Sequence, residues 1–434
     1  MRNSFAVQVG DSIIYLLASV LEPPSSVVTT AVSDLRLSTF VAAVYAASLD
    51  KTLSRSPAIT YLIPHNPAFT SLGLVMSYLL LPTARDELRS LIRYHAIDEI
   101  VYLDEFPIGG ALRYPTLDGA EIYVERESSN ATLAIHGPTI GGHPANGETR
   151  DARLIEGDIL TSSGVVHIID QVELPPSMNI GVAKLLQGAK ATTFADLIRA
   201  ANMSWILEGK PPPPSSDLST SGRRKRIKRR AKADRAYTVL CPTDKALSRL
   251  NLTYYLSNSR ALSSLVKLHI IPTDAFAPLS SDGHPLPLVD EITYSTLLDV
   301  KQGGESQYGT VAFRRWGEEG WLVGIKSARG TEGASDSARV VGYGRATPWF
   351  VPVERETPDP LGVEGEMRLA GGGGVLTIDS VLLPYEPGWF RRWGWIGVVV
   401  GLGVLGGVTM GAMGWKVWKG RERVEYQPVE GEED

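Results

Sequence analysis

Seven histidines are the residues of this sequence best suited to acid–base or metal chemistry, because an imidazole changes its charge near neutral pH. They are His65, His95, His136, His143, His167, His269 and His284. None has cysteine, histidine or carboxylate neighbours at the short spacings that metal sites use. No nucleophile elbow, phosphate-binding loop or dinucleotide fingerprint accompanies them. We therefore expect no catalytic residue, no metal site and no cofactor.

Two of these histidines, His95 and His269, occupy matching positions in a sequence motif that occurs twice, as RYHAI and as KLHII. A shared position invites a catalytic interpretation, in which the histidines act as acid or base. A motif histidine inside a small domain is more often a buried hydrogen-bond partner, so we interpret both as structural. Cys241, the single cysteine, lies in an apolar run and is expected to be an inert buried thiol.

The elements that must position these histidines are also repeated. Three apolar runs end in proline, which closes a strand because it cannot donate a ladder hydrogen bond. These runs are Ser12–Pro24, Gly164–Pro176 and Gly373–Pro384. A shorter strand broken by proline occurs twice, at Thr60–Phe69 and at Thr238–Leu247. An amphipathic helix is predicted over Leu35–Leu53, and its copy begins at Thr193.

The first of the three runs has no repeat body before it in this chain. We interpret residues 1–24 as the remnant closing strand of an upstream repeat. As a secretory signal the segment is poor, because Asp11 interrupts it and no small-residue cleavage site follows its short apolar stretch. We therefore expect the natural gene product to be longer at its N-terminus.

Three motifs carry a family resemblance: TYLIPHNPAF, the pair Tyr94–His95 and GVVHIIDQVELPP, in that order. They resemble the two boxes and the intervening tyrosine–histidine motif of fasciclin domains. The resemblance implies an α+β fold, in which a wedge-shaped β-sandwich carries a layer of helices and the two boxes are neighbouring central strands. It also implies adhesion or cell-surface interaction without catalysis.

The resemblance divides the chain into tandem fasciclin domains and is that of a fungal-type membrane protein. The first domain spans residues 25–178. The second spans residues 180–386 and departs from the motifs, since Leu268 replaces the tyrosine and Leu376 stands where the first domain has His167.

The extra length of the second domain falls in two stretches, 209–235 and 346–374. Their proline, glycine and serine content predicts solvated, flexible surface insertions. Between them, alternating apolar and polar residues predict short strands at Thr310–Phe313 and at Gly320–Ile325.

A membrane-spanning helix is predicted at residues 393–418. No charged residue occurs from Trp393 to Trp415, a length that crosses a hydrocarbon core of about 30 Å as a helix. More Lys and Arg follow this segment than precede it, so the tail 419–434 is expected in the cytosol and the preceding domains in the lumen or outside the cell. A buried core helix is the alternative interpretation.

Glycines within the predicted span form small-xxx-small pairs, which let two helices approach closely and favour a homodimer. The candidates for this contact are Gly397, Gly401, Gly403, Gly407 and Gly411. In the tail, Tyr426 and Val429 fit the tyrosine–x–x–apolar pattern of endosomal sorting signals, although random tails often match that pattern.

Two further kinds of candidate site lie in the domains. Asn130, Asn202 and Asn251 head glycosylation sequons on the side expected to be luminal. Asp158 and Ile159 resemble the Asp-Ile signature that animal fasciclin proteins present to integrins. The alternative for that pair is an acid at a strand edge beside a core residue.

The basic run 223–230, RRKRIKRR, has three interpretations. It is a nucleic-acid or nuclear-import patch, a dibasic processing site ending at Arg226 or Arg230, or a solvated loop. The predicted topology keeps it away from the nucleus, which favours the loop.

We conclude from the sequence that a single-pass membrane protein displays non-catalytic fasciclin domains for adhesion. The expected partners are cell-surface, matrix or cell-wall components or other fasciclin domains, together with the lipid bilayer; no nucleic acid is expected. The membrane is the plasma membrane or a vacuolar or other endomembrane. The alternatives are a nuclear or nucleic-acid-binding protein that uses residues 223–230, and an enzyme that uses the motif histidines.

Overall fold

The structure is a computed structural model of the 434-residue chain. It describes residues 5–16, 20, 22–126, 133–137, 139–140, 143–144, 151–210, 235–274, 284–302, 306–317, 320–326, 337–352, 367–371, 373–385, 403 and 406–419. The chain divides into two compact units, Met1–Leu383 and Pro384–Asp434, and each is described by itself.

A β-hairpin opens the described chain. Strand β1 (Phe5–Val9) pairs antiparallel with β2 (Ser12–Leu16) around a turn at Gly10, which has a φ of +64°. A positive φ of this kind favours glycine, because a Cβ would be strained there. The strand predicted in the first proline-closed run is therefore present, and its origin in an upstream repeat stays a prediction.

The first domain is built on one seven-stranded sheet and a small separate ladder. The strands in chain order are β3 (Ile59–Pro64), β4 (Ala96–Ile97), β5 (Leu112–Pro115), β6 (Glu121–Arg126), β7 (Leu133–His136), β8 (Thr139–Ile140), β9 (His143–Pro144), β10 (Ala152–Thr161) and β11 (Gly164–Ile169). β8 pairs with β9, and the other seven follow the order β4-β3-β11-β10-β7-β6-β5. The two box strands, β3 and β11, are parallel neighbours.

The central strands are buried on both faces, so their side chains belong alternately to two cores. Ile59, Tyr61 and Ile63 of β3 join the core beneath the helices, whereas Leu62 joins a second core. That second core also contains side chains from the far half of the sheet, such as Ile122 of β6. The sheet therefore folds over on itself, and the expected β-sandwich is one continuous sheet whose halves meet at the bulged strand β10.

Six α-helices are described in the first domain, and their apolar faces cover the box strands. They are α1 (Val27–Ser33), α2 (Ser38–Ala47), α3 (Asp50–Arg55), α4 (Asn66–Ser71), α5 (Leu74–Leu79) and α6 (Arg85–Tyr94), with 3-10 turns at Leu35–Leu37 and Pro82–Ala84. The single helix predicted over Leu35–Leu53 is wrong, because Ser48 takes a left-handed φ of +56° and ends α2 before α3 begins. The inward positions of that prediction are nevertheless buried or partly buried: Leu37, Phe40, Val41, Val44 and Leu49.

The second domain repeats this plan. Its helices are α7 (Val182–Gly188), α8 (Thr192–Ala200), α9 (Ser204–Leu207), α10 (Asp244–Leu247), α11 (Leu252–Ser257) and α12 (Ser259–Leu268), with a 3-10 turn at Val300–Gln302. Its strands are β12 (Arg235–Pro242), β13 (Ile270–Asp274), β14 (Thr293–Ser295), β15 (Thr310–Trp316), β16 (Gly320–Ile325), β17 (Ser337–Arg345), β18 (Pro348–Pro352), β19 (Met367–Gly371) and β20 (Gly373–Ile378). The order β13-β12-β20-β17-β16-β15-β14 matches that of the first domain strand for strand.

Two predictions about the long second domain meet different outcomes. The strands predicted at Thr310–Phe313 and Gly320–Ile325 are confirmed by β15 and β16. The flexible excursion predicted over 346–374 is wrong in part, because β18 and β19 pair antiparallel with each other across it. Residues 211–234 and 353–366, which hold the rest of the two predicted insertions, lie outside the described residues.

The helices of the two domains share one continuous apolar core. Helix α5 of the first domain packs against α7, which in turn lies against β20. Within the second domain, the N–H of Thr347 donates to the Ile180 carbonyl (3.0 Å), and its Oγ1 accepts from the Ile180 N–H (2.7 Å), which fixes the start of α7. Lys184 of α7 forms a 3.4 Å ion pair with Glu87 of α6. The two domains therefore form one close-packed pair.

The described part of the C-terminal unit is helical. Residues 403 and 406–419 are helix with exposed side chains, and the rest of the span predicted at 393–418 lies outside the described residues. Within the described residues, no single helix is both long and apolar enough to cross a membrane. One pair bent by 111°, α1 with Leu35–Ala47, passes on length and composition, and it consists of core helices of the first domain.

Candidate functional site

The motif histidine of the first domain is enclosed in the protein. His95 follows the last turn of α6 and is 3% exposed. The Glu173 N–H donates to its Nε2 (3.1 Å), so Nε2 is unprotonated and Nδ1–H donates to the Leu91 carbonyl (2.8 Å). The imidazole thus ties the end of α6 to the segment that follows the closing strand β11.

His269 repeats this arrangement after α12. Its Nδ1–H donates to the Leu265 carbonyl (2.9 Å), and the Leu382 N–H donates to its Nε2 (3.2 Å). Burial lowers the pKa of both His95 and His269 to about 4, because the interior disfavours the charged ring more than the main-chain carbonyl favours it. Both rings are therefore neutral at physiological pH.

A third buried histidine, His167, belongs to the first domain. Its Nε2–H donates to the Val101 carbonyl (3.0 Å), and the Asp158 N–H donates to its Nδ1 (3.2 Å). Burial lowers the pKa of His167 as well, and the Phe106 ring lies edge-on to it at 5.8 Å. Leu376 takes the same place in β20, so the second domain has an apolar contact here.

These buried groups serve the fold. Each of the three imidazoles is hydrogen-bonded to the main chain through both nitrogens. Cys241 is fully buried in β12, and burial raises the pKa of its thiol. Among the described residues, no three His, Cys, Asp or Glu side chains are arranged to hold a metal ion. Within the part of the chain that the structure describes, an open cleft on the first domain is a candidate functional site.

An open cleft of about 210 Å³ lies between α1 and the strands β10 and β11; we call it the first-domain cleft. Ala31, Leu37, Ile159 and Val166 supply apolar lining. These side chains reach the cleft because α1 crosses the closing hairpin at the end where the hairpin turns, and Ser25 accepts there from the Ser162 N–H (2.9 Å). The result is an apolar hollow that is open to solvent.

Three charged side chains form the rim of the cleft. Nε and Nη2 of Arg36 donate to both carboxylate oxygens of Asp34 at 2.6–3.1 Å, and Nη2 also donates to Glu156 (2.7 Å). The hydrogen bonds from Arg36 hold the pKa of Asp34 below its usual range. Because two carboxylates share one guanidinium, the rim carries a net negative charge.

The predicted Asp-Ile motif is divided between two surroundings. Asp158 lies at a bulge of β10 with a φ of +55°, and its Oδ1 accepts from the Leu103 N–H (3.0 Å). Ile159 points the other way, into the first-domain cleft. The structure thus brings Ile159 to a candidate site and gives Asp158 a local role in the bulge.

The equivalent place in the second domain is filled. The parallel ladders align Val166 with Val375, and their partners across the closing hairpin are Ile159 and Gly344. A Cβ at Gly344 would lie 2.6 Å from the Leu74 Cβ of α5. Helix α5 of the first domain therefore occupies, on the second domain, the place that stays open as the cleft; we call this place the second-domain seat.

Helices α1 and α7 match in the same way. Each begins two residues after a main-chain bond to the closing hairpin, at Ser25 and at Ile180. This alignment matches Ser33 with Gly188, where a Cβ would lie 2.6 Å from the Leu74 carbonyl oxygen. Glycine thus permits the close approach of α5 to the second-domain seat, and the first domain carries larger residues at the matched positions.

Helix α11 is the counterpart of α5, since each is the second α-helix after the first box strand of its domain. Five of the six residues of α5 are buried, whereas none of the six in α11 is, and the structure describes all of both helices. Tyr254 is 52% exposed and Leu256 is 58% exposed. Leu252 and Tyr255 pack partly against the core. The helix that joins the domains is therefore covered in one copy of the fold, and its outer face is exposed in the other.

Two predicted glycosylation sites are described. Asn202 is exposed and lies just after α8, with a φ of +58°. Asn251 is exposed and caps α11, where its Oδ1 accepts from the Tyr254 N–H (3.2 Å). Both side chains are at the surface of the second domain.

The remaining predicted sites fall in the less described parts of the chain. Outside the described residues lie Asn130, Arg226, Arg230, Gly397, Gly401, Tyr426 and Val429. Gly403, Gly407 and Gly411 are helical and exposed, and a Cβ at any of them would meet no described atom within 4 Å.

Sequence reasoning missed the charged rim of the cleft. Arg36 and Glu156 are 120 positions apart, so no local pattern links them. One signal could have found the cleft: Gly342 and Gly344 of the second domain stand where the first has Glu156 and Ile159. A change from glycine to larger residues between repeats marks a surface that only one repeat uses for close contact.

The fold and the histidine sites define a class: paired α+β domains, each with two parallel box strands at the centre and a buried histidine after a helix, α6 or α12. A family model for the fasciclin domain matches residues 35–175 and 189–290, which is more than half of the chain. The chain belongs to the fasciclin family. The second match stops at residue 290, whereas the sheet of the second domain continues to Ile378.

Several known proteins are similar to the chain. Protein sll1483 of Synechocystis sp. is 33% identical over 153 residues, covering 35% of this chain and 74% of that protein. Transforming growth factor-beta-induced protein ig-h3 of Sus scrofa is 33% identical over 165 residues, covering 38% and 21%. Human periostin is 26% identical over 237 residues, covering 54% and 22%. The chain thus spans about a fifth of the length of ig-h3 and of periostin.

A solved structure also aligns with the chain. It is a FAS1 domain pair from the insect cell adhesion molecule fasciclin I, at a TM-score of 0.28 and 16% identity, with 80% of this chain and 97% of that one covered.

Proposed function

We propose that this chain is a single-pass membrane protein that presents its two fasciclin domains for cell adhesion, through contact with matrix, cell-wall or cell-surface components. The observation that carries the proposal is the enclosure of His95 and His269, whose four ring nitrogens are all bonded to the main chain. The motif residues therefore hold the fold together, and the chain works without catalysis. The first-domain cleft and α11 are the surfaces on which proteins dock.

The sequence supports the membrane anchor. The uncharged stretch from Trp393 to Trp415 is long enough to cross a bilayer, and tryptophans and cations bracket it as they do a spanning helix. In this arrangement the domain pair lies outside the cytosol, in or on the plasma membrane or an endomembrane. The glycines of the span then let two copies pair as a homodimer.

Fractionation tests the anchor and the topology. The full chain is expected to stay in the membrane pellet after carbonate washing. Endoglycosidase is expected to increase its mobility through loss of glycans at Asn130, Asn202 or Asn251. A soluble nuclear protein without a mobility shift would instead support the nucleic-acid alternative based on residues 223–230.

An attachment assay tests adhesion and separates it from catalysis. Cells that display the full chain should attach to matrix-coated surfaces or to one another better than cells without it. His95→Gln and His269→Gln should change attachment only in proportion to the amount of folded protein at the surface. Loss of attachment at an unchanged surface amount would assign the histidines a chemical role and contradict the proposal.

A further inference from the structure

We propose that a second copy of this chain docks its helix α11 into the first-domain cleft, so that copies associate head to tail. This inference extends the proposed function by naming one partner, and it does not depend on the membrane anchor. It starts from the intrachain contact in which α5 fills the second-domain seat.

Each domain has both kinds of surface that form this contact, a helix and a place for it, and uses only one of them. The first domain uses its helix α5 and leaves its cleft open, whereas the second domain uses its seat and leaves α11 bare. Contact between copies would pair the same two kinds of surface at a wider separation, because larger residues replace the glycines that permit the intrachain contact. The donor and acceptor lie on different domains, so the contact is heterologous, and each added copy leaves a new free surface.

The donor helix carries the apolar side chains that such a contact needs. Counting from the start of each helix, Leu252 and Leu256 of α11 match Leu74 and Tyr78 of α5, the two residues that approach the second-domain seat. Leu252 already packs against the core of its own chain, so Leu256 is the matched residue that is free to dock. Leu256 is 58% exposed, and Tyr254 beside it is 52% exposed. Burying such side chains at an interface is favourable by about 25 cal/mol per Å² of apolar surface.

The acceptor, the first-domain cleft, differs from the second-domain seat because it has room for one side chain rather than for a whole helix. On the strands, Glu156 and Ile159 replace glycines, so a helix cannot approach as closely as α5 does. On α1, Thr30 and Ala31 stand where α7 has leucines, and this leaves the hollow of about 210 Å³. An apolar cavity of about 150 Å³ accepts a benzene ring, so the cleft has room for Leu256 or for the Tyr254 ring.

Charge complements shape at this contact. The cleft rim has Asp34 and Glu156 against Arg36 alone. The segment around α11 is basic: residues 245–273 contain four Lys or Arg and no Asp or Glu. Opposite charges on two surfaces speed their encounter and favour the matched pairing. Association should therefore weaken as the salt concentration rises.

Glycosylation of Asn251 would control this contact. It stands at the start of α11 where α5 has Gly73, and a Cβ at Gly73 would lie 2.2 Å from the Tyr343 carbonyl oxygen. A glycan on Asn251 would cover the docking face of α11. Thr253→Ala removes the sequon and keeps the Asn251 cap, so it produces a chain whose donor helix is bare in every copy.

Sedimentation velocity of the full chain in detergent tests the proposal. All samples carry Thr253→Ala together with Gly403→Ile and Gly407→Ile, so that neither the glycan nor pairing of the C-terminal helices interferes. The chain should form concentration-dependent oligomers at low salt. Leu256→Asp on the donor and Ile159→Asp or Thr30→Lys on the acceptor should each weaken association by about tenfold or more. Val300→Asp and Leu160→Asp, at residues about as exposed as Leu256 and outside the lining of the cleft, should leave it unchanged.

A mixing experiment tests the head-to-tail geometry. Equal amounts of the Leu256→Asp and Ile159→Asp chains should form one-to-one dimers and nothing larger, because one keeps the acceptor and the other keeps the donor. The two acceptor variants, Ile159→Asp and Thr30→Lys, are tested separately, so misfolding of one does not decide the result. Monomers at every concentration, or association unaffected by both changes, would overturn the proposal. Attachment of cells to matrix would still occur in that case, so the proposed function stands or falls separately.

Discussion

The two domains of this protein share a fold and differ in which surface each one covers. In the first, α5 is buried and the cleft is open; in the second, the seat is filled and α11 is bare. The box strands and the buried histidines are alike because they build each domain. Positions such as Gly344 and Ile159 differ because they decide what each domain touches. Some residues therefore build each domain, and others determine the contact between the two domains.

The largest expected effect comes from the glycines that open the closing strands. A Cβ at Gly164 would lie 1.8 Å from the Ile59 carbonyl oxygen, and one at Gly373 would lie 2.3 Å from that of Tyr237. Gly164→Ala and Gly373→Ala should each lower the free energy of unfolding by about 4 kcal/mol or more, because the box strands must separate. Urea titration measures this, with the open-surface change Gly110→Ala as the control. A small effect in one domain would show that the two closing strands are not equivalent.

Acid should destabilise the protein through its buried histidines. The pKa of His95 and of His269 is about 4 in the fold and about 6.5 in the unfolded chain. The unfolded state therefore binds protons first, so the contribution of these histidines to stability is constant above about pH 7 and falls as the pH drops from about 6.5 to 4, by about 2 kcal/mol per histidine at pH 5. Urea titrations at pH 7 and pH 5 should show this loss, and it should shrink in His95→Gln and in His269→Gln.

The same measurement should distinguish the two domains. The pKa of His167 is also lowered by burial, and the second domain has Leu376 in its place. The first domain should therefore be the more acid-sensitive one, and His167→Leu should reduce the difference. Equal pH dependence in the wild type and in His167→Leu would contradict the buried, neutral state of this ring.

The contact between the domains should respond at Gly344 more than the open cleft responds at Ile159. Gly344→Ala places a Cβ 2.6 Å from the Leu74 Cβ and 3.0 Å from the Leu185 Cδ2, so α5 must shift at a cost of about 1–3 kcal/mol. Ile159→Ala trims a partly buried side chain at the edge of the cleft and should cost about 1 kcal/mol or less. Thermal unfolding compares the two variants, and a larger effect at Ile159 would reverse the assignment of seat and cleft.

The smallest expected effect is at the cleft rim. The Arg36 side chain is 50% exposed, and its partner Glu156 is 49% exposed. Surface ion pairs of this kind contribute about 0–1 kcal/mol. Arg36→Ala should change the free energy of unfolding by less than about 1 kcal/mol in urea titrations at low salt, and by still less at high salt. A loss of several kcal/mol would make the rim a structural element of the domain.

Much of the fold was predictable from repeated local patterns. The proline-closed runs and the histidine motifs recur in order, and periodic burial within one strand or helix is a property of the local sequence. The break at Ser48 was not visible, because a left-handed serine has no sequence signature as plain as a glycine. The fold of the sheet onto itself depends on a core shared by residues of distant strands, such as Leu62 and Ile122.

Less of the candidate site was predictable. The sequence located Ile159 but paired it with Asp158, which the bulge turns toward Leu103 instead. The cleft depends on α1, on β10 and, among the described residues, on the absence of a covering helix, and none of these is local to one motif. Its equivalence to the second-domain seat becomes visible only when the strand registers align Ile159 with Gly344 across the two domains.

Amide hydrogen exchange followed by mass spectrometry tests the central contrast most directly, because it compares two equivalent helices within one sample. α5 lies under the domain contact and α11 lies bare, so amides of Leu74–Leu79 should exchange many times more slowly than those of Leu252–Ser257 in the monomeric protein. Gly344→Ala should speed exchange in α5 and leave α11 unchanged. Equal protection of the two helices would contradict the account that one is covered and the other is free.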